Sequence, residues 1–504
     1  MWARITRQPL FLLLTGIAAM AMLVPAVHGF LLGRALEGRA FLYSALLGIL
    51  AVVLVSIARD GSARRRSEMG DLLGLFAAMS VLPLFLALPF YEALRTTSFL
   101  NAYAEMVSSL TTTGAAFFQA ERLSDTLHLW RGMVGWMGGA LIWVAAAAIL
   151  APLNLGGFEV TASAEPGQSD QLHGRHERID PQRRIIRATK ALLPIYSGLT
   201  FALWLMLTVI GDPPLVSLIH AMSIMASSGI TPLASASQAE SGVAGEAISA
   251  LFMLFALSRL TFSSDTITTT RRGLHEDPEF RLGILIVLAV PLGLFLRHWV
   301  GSYAADEEQN LLQALGALWG GLYTTLSFLT TTGFESVEWE TARNWSGLPT
   351  PGLIFLGLAM VGGGVATTAG GVKLLRVWAL YLNGLREMDR LVHPSSVGRS
   401  QGMSRRIRRQ GAFIAWIFFM MFALSLTLFT MIFAGFGSDL ETALTLAIAG
   451  LSTTGPLVQI APDEAVNLAA LAPMAKLTFA AAMVLGRLEM LAFVALFAGQ
   501  LLRR

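Results

Sequence analysis

Ser108-Ser109-Leu110-Thr111-Thr112-Thr113-Gly114 closes a short amphiphilic segment that lies between two long apolar runs. Its ending recurs as Ser227-Ser228-Gly229, Thr331-Thr332-Gly333 and Thr453-Thr454-Gly455. Each copy again follows a short helix-like piece, and the glycines stand roughly a hundred residues apart, a spacing that indicates internal repeats. One isolated copy is better explained by close helix packing, for which small residues are suited. Four copies at the ends of four short helices reverse that preference. They fit a ring of re-entrant loops whose backbone carbonyls replace the water shell of a cation. Thr112 and Thr113 become Ser227 and Ser228 while the glycine stays, so the expected ligands are main-chain oxygens. A left-handed or extended turn is expected at each glycine, where a Cβ would clash. Pro456 after Gly455 removes one amide donor and is expected to stiffen the fourth turn.

Outward from these loops the chain is apolar. Of 504 residues, 54% are hydrophobic and 14% charged, against about 25% charged in soluble domains. Long apolar stretches cover residues 8–33, 38–58, 70–92, 128–153, 190–210, 244–262, 280–297, 350–384, 410–435 and 468–502. Each approaches or exceeds the roughly 20 residues that cross a bilayer. The pieces at 99–110, 214–226, 310–329 and 439–451 are shorter, and non-helical backbone at membrane depth requires a cover of protein or water. The predicted fold is therefore an all-α polytopic membrane protein. Two leading helices (1–66) precede four helix, pore-helix, filter-loop, helix repeats in pseudo-fourfold arrangement, at 67–155, 180–273, 278–392 and 405–504. The first apolar run is too long for a signal-peptide core, and it reads as a retained helix.

Basic residues orient the chain. Arg4, Arg7, Arg59, Arg64–Arg66, the 173–190 linker, Arg271, Arg272, the 386–409 stretch, Arg503 and Arg504 alternate with acid-rich loops holding Asp306, Glu335, Glu338, Glu340, Asp439 and Glu464. The positive-inside rule then puts both termini in the cytoplasm and brings the half-helices in from outside. A net charge of +3 gives no footprint for nucleic acid. With no cysteine, thiolate metal sites and cysteine nucleophiles are excluded. His173 and His176 lie in a solvated basic linker, where a metal site is a minor reading. Neither a His-Glu-x-x-His pair nor a nucleophile elbow occurs, and the glycines of 363–373 lack the Gly-Lys-Ser/Thr of a phosphate loop. The chain does not read as an enzyme.

These loops and three further motifs resemble the Trk/Ktr/HKT superfamily of potassium transporters, within it the bacterial TrkH branch. Leu129-Trp130-Arg131 through Trp136-Met137-Gly138-Gly139 is similar to the start of the family's helix after the first loop. Gly362-Gly363-Gly364 with Thr367-Thr368-Ala369-Gly370-Gly371-Val372-Lys373 is similar to its interrupted third-repeat helix, and Gly486-Arg487-Leu488-Glu489 to its last-helix signature. The likeness runs through the whole chain. It departs at Ala140-Leu141, where the family has Leu-Gly, and at Ser227-Ser228-Gly229-Ile230, where the family has Thr-Gly-Gly-Phe.

The resemblance implies potassium uptake across the inner membrane, with K+ as the transported ion at the four triplets and no covalent cofactor. It further implies a gating loop at Gly362–Lys373 under the filter, touched by Arg487. A homodimer and a cytoplasmic nucleotide-binding regulatory subunit of TrkA/KtrA type are the implied partners, besides membrane lipid. Lys373 and Arg487 fall in apolar spans, where a charge costs about 2.5–3.5 kcal/mol on insertion scales. The simpler alternative for Arg487 is an ion pair with Glu489 or another acid. Glu105 either tethers the first pore helix or adds to the cation's field, and Arg259 with Asp265 reads as a snorkelling pair. A sodium or weakly selective cation transporter on the same fold is the alternative function.

Overall fold

The computed structural model describes residues 8–59, 68–153, 155, 157, 181–258, 274–302, 311–347, 352–393, 409–462, 464–490 and 492. The Arg259/Asp265 pair and the His173/His176 linker lie outside the described residues. Among those described, all regular structure is helical.

The leading helices α1 (Leu10–Leu31) and α2 (Ala35–Ala58) are apolar over their length. Repeat one contains α3 (Met69–Leu94), the half-helix α4 (Phe99–Leu110) and α5 (Asp125–Leu153). Repeat two contains α6 (Pro181–Ile210), half-helix α7 (Pro214–Ala226) and α8 (Gly242–Met253). Repeat three contains α9 (Pro278–Ser302), α10 (Leu311–Leu329), the short outer helix α11 (Trp339–Ser346), α12 (Gly352–Val361) and α13 (Leu374–Val392). Repeat four contains α14 (Arg409–Gly435), half-helix α15 (Leu440–Ser452) and α16 (Pro473–Leu488).

Local chemistry starts the half-helices. Ser98 caps α4 by accepting the Asn101 amide, and Asp439 caps α15 by accepting that of Thr442. Pro214 opens α7 at a position that needs no amide donor. At 1.5 Å per residue, the 12-residue α4 is about 18 Å long, too short to cross. By the same rule the 19-residue α10 reaches about 28 Å, so the third copy is the long one.

In each repeat the helix after the loop packs on the half-helix of the next. Thus α5 packs on α7, α8 on α10, α12 on α15, and α16 on α4. That cyclic order closes the molecule on itself. Polarity is inverted relative to a soluble protein: Leu47, Phe201 and Leu424 are exposed on the outside, while Ser108, Thr111–Thr113, Ser227, Ser228, Thr330–Thr332, Thr453 and Thr454 are buried. Exposed apolar side chains and a polar centre suit a chain whose solvent is lipid.

Two expected spans are broken. Helix α12 stops at Val361 and α13 begins at Leu374, so 350–384 is no single helix. Likewise α16 ends at Leu488, where Glu489 takes φ +62°, so 468–502 is not one continuous span.

Candidate ion-conduction site

Each half-helix ends in the same backbone device. The first residue of every triplet is left-handed: Thr112 at φ 54°, Ser227 at 46°, Thr331 at 60° and Thr453 at 54°. For β-branched threonine this is a real outlier, of the kind that surrounding structure must hold in place. The glycines follow with φ 72° at Gly114, 68° at Gly229 and 79° at Gly333. Gly455 does not share it. The left-handed form of the expected turn is thus taken by three of the four glycines, and Pro456 starts a helical turn, Leu457–Ile460, directly behind the fourth.

This turn sends the amides backward. Thr113 and Gly114 donate to the Ser108 carbonyl, Ser228 to that of Ser223, Thr332 and Gly333 to that of Ser327, and Thr454 to that of Ala449. The second hydroxyl of each triplet also folds back: Thr113 onto Thr111, Ser228 onto Ser223, Thr332 onto Thr330, and Thr454 onto Ser452. Among the described residues, the carbonyls of Thr112, Ser227, Ser228, Thr331, Thr332 and Thr453 then accept no hydrogen bond. Buried carbonyls are normally paired. A group of unpaired ones at the C-terminal, negative ends of four helices forms a field for a cation.

The four loops meet. A Cβ on Gly114 would lie 1.7 Å from the Ser228 carbonyl oxygen, and one on Gly229 would lie 2.4 Å from that of Thr332. Gly333 faces the Pro456 ring at 2.8 Å in the same sense, and the Gly455 amide donates to the Thr113 carbonyl at 2.6 Å. Contacts therefore run from loop one to two, three, four and back to one. Pro456 also reaches Gly229 across the ring.

Glu105 is a tether: its carboxylate accepts the Phe117 amide at 2.7 Å and pairs with buried Arg131. That fixes both sides of the first loop. Sequence reasoning missed a second buried acid, Glu246 on α8, which accepts the Trp319 indole, the Ser336 hydroxyl and the Val337 amide of the next repeat. A lone acid inside an apolar run was the available signal.

The segment Gly362–Lys373 lies against the inner side of these loops. The Gly370 amide donates to the Thr331 hydroxyl at 2.8 Å, and the Thr368 hydroxyl to the Met225 carbonyl at 3.2 Å. A Cβ on Gly370 would fall 2.1 Å from the Ser452 carbonyl oxygen, and Gly362 holds φ 71° and Gly371 φ 78°. Gly363 and Gly364 approach the Ala256 and Leu257 carbonyls, and the Val365 amide is accepted by Glu279. Repeats two, three and four thus all touch the segment. Lys373 turns back to the Ala369 carbonyl.

Arg487 donates to the Thr368 carbonyl at 2.7 Å. The alternative, an ion pair of Arg487 with Glu489, is not formed: Glu489 pairs with Arg376 at 2.6 Å, and Arg376 also stacks on Phe418. Glu489 lies past the end of α16 at φ +62°, so its side chain does not continue the helix surface that carries Arg487.

A protein-family model described as TrkH, cation transport protein, matches residues 81–502. The chain belongs to the TrkH family. It is 29% identical to the Trk system potassium uptake protein TrkH of Salmonella typhimurium, with 91% of both chains covered. To the Trk system potassium uptake protein TrkI of Halomonas elongata it is 30% identical, over 82% of this chain and 80% of the other. The crystal structure of the potassium transporter TrkH from Vibrio parahaemolyticus superposes with a TM-score of 0.78 at 26% identity, covering 98% of each chain. The fold is that of a TrkH-like, multi-pass membrane protein with its repeat architecture. A family of membrane cation transporters, not of enzymes, is the setting for the geometry above.

Proposed function

We propose that this chain is the conducting subunit of a potassium-uptake system of the bacterial inner membrane, with cytoplasmic termini. The single observation that carries the reading is the set of unpaired carbonyls at the four triplets, whose second hydroxyls, and the amides before each glycine, are engaged elsewhere. The names of its relatives as potassium uptake proteins support the choice of ion. Potassium enters from the acidic side, sheds water among Thr112-Thr113-Gly114, Ser227-Ser228-Gly229, Thr331-Thr332-Gly333 and Thr453-Thr454-Gly455, and meets the segment Gly362–Lys373 beneath.

In this reading the segment is a gate held by Thr331 and Arg487. It blocks permeation at rest and clears the path when α13 moves. The membrane potential drives accumulation with about 2.3 kcal/mol per charge per 100 mV, without ATP hydrolysis by this subunit. The printed term "Trk system" supports further components; we assign a second copy of the chain and a nucleotide-binding regulator docking on the basic cytoplasmic face.

Ser228, where the resembled family carries glycine, favours a second reading: a sodium or weakly selective pathway on the same fold. Rubidium and sodium fluxes in proteoliposomes, with and without a nucleotide-binding regulator, test the proposal. Rubidium flux well above sodium flux is expected. Equal fluxes, or rescue failure in a potassium-uptake-deficient bacterium at limiting potassium, would support the second reading.

A further inference from the structure

Glu246 is 7% exposed in α8, and no basic group pairs with it among the described residues. A carboxylate buried without a cation is unfavourable unless hydrogen bonds replace its lost water. Here three donors do so. Oε1 accepts the Val337 amide at 2.5 Å, and Oε2 accepts the Ser336 hydroxyl at 2.7 Å and the Trp319 indole at 2.8 Å. The acid belongs to repeat two, yet all three donors belong to repeat three.

Two of the donors are on the chain just after Gly333. That return segment is pinned further by the Phe334 amide to the Ser327 hydroxyl at 2.6 Å, the Ser336 amide to Thr324 at 3.3 Å, and the Glu338 amide to the Ser336 hydroxyl at 3.1 Å. A brace serving only helix packing would grip helix against helix. Glu246 grips the loop.

Loop one is held within its own repeat: Glu105 accepts the Phe117 amide, the bond that Thr324 makes with the Ser336 amide at the same offsets in loop three. In the ring order, loops one and three stand opposite each other. Loop two is held by the contact of His220 with the Thr231 hydroxyl at 2.9 Å and by Asp212, which accepts the Ser241 amide and hydroxyl, and loop four by its own short helix. A carboxylate from a neighbouring repeat therefore braces loop three, whereas Glu105 and Asp212 act within their own repeats.

We propose that Glu246 is a positioning residue for ion selection, which anchors the return segment of loop three to repeat two so that the carbonyl cage cannot shrink onto sodium. This rests on the filter reading given under Proposed function. The test is the rubidium-to-sodium flux ratio of purified full-length variants in proteoliposomes, with thermal stability measured alongside. Glu246→Gln keeps the shape but turns one acceptor into a donor facing donors; the ratio is expected to fall about tenfold, the equivalent of one charge-assisted hydrogen bond, while maximal rubidium flux stays within about twofold. Trp319→Phe removes a donor but leaves both loop bonds, and its ratio is expected to stay at the wild-type value. A wild-type ratio in Glu246→Gln overturns the proposal. So does an equal fall in Trp319→Phe, which would make the role one of helix packing. Should Glu246→Gln fail to fold, Ser336→Ala retains the acid and loses one loop bond; a fall of about threefold supports the proposal and no change overturns it. Absent rubidium flux in the wild type would refute the underlying filter reading instead, leaving the two failures distinguishable.

Discussion

Replacing Gly114 by serine perturbs the ring at its tightest point. Gly114 holds φ 72°, and its Cβ would stand 1.7 Å from the Ser228 carbonyl oxygen. Relief to 3.0 Å, below which Cβ contacts are essentially never seen, requires a displacement of 1.3 Å, which is 3.0 minus 1.7. The left-handed conformation adds about 1–2 kcal/mol for a residue with a side chain. Backbone at this position cannot yield outward, because Thr113 and Gly114 are tied to Ser108 and the Thr113 carbonyl to Gly455. The Ser228 carbonyl therefore moves, and one ligand leaves the cage. Gly114→Ser is expected to lower the rubidium-over-sodium flux ratio by about tenfold or more in proteoliposomes, the effect of losing about 1.4 kcal/mol of discrimination. Gly198→Ser on α6, where nothing lies within 4 Å of the added carbon, is the control and should leave the ratio intact. Identical ratios in Gly114→Ser and wild type would refute the reasoning, since a displacement of this size cannot be neutral in a cage that selects ions.

Three further outcomes follow from the same geometry. Gly370→Ala places a carbon 2.1 Å from the Ser452 carbonyl and 2.3 Å from the Thr453 hydroxyl, so the inner segment must drop away from the ring; basal flux without a regulator should rise several-fold, and unchanged flux would reject the gate. Glu105→Ala leaves Arg131 buried and unpaired, a loss of about 3–5 kcal/mol seen as reduced thermal stability, and Glu105→Ala with Arg131→Met should recover most of it. Burial, with Glu340 adding to it and Arg343 opposing, pushes the Glu335 carboxyl up to about 7. It is charged above that value and neutral below, so acidifying the outside from about pH 8 to about pH 6 removes a negative charge two residues from Gly333, lowering uptake at limiting potassium by about twofold, with Glu335→Gln flattening the profile.

Much of the fold was legible because lipid imposes a simple rule: apolar runs cross and the interruptions carry function. The Ser/Thr-Gly triplets gave both the repeat number and the loop positions, since each sits at the end of a helix that follows a long apolar run. What could not be read depended on contacts distant in sequence. Gly455 escapes the left-handed turn because Pro456 nucleates a helix and its amide finds Thr113 in another repeat. Nothing local marks Thr112, Ser227, Thr331 and Thr453 as the strained residues, because threonine ordinarily avoids that region. The partner of Glu489 lies 113 positions away at Arg376, beyond any local pattern. One feature was readable and overlooked: Glu246 alone in its apolar run.

Anomalous scattering from crystals grown in rubidium or thallium salts addresses the ring itself. Bound ions are expected on the axis between the four triplets, at coordinating distance from the carbonyls of Thr112, Ser227, Thr331 and Thr453. Ions found only at side-chain hydroxyls, or nowhere between the loops, would contradict it.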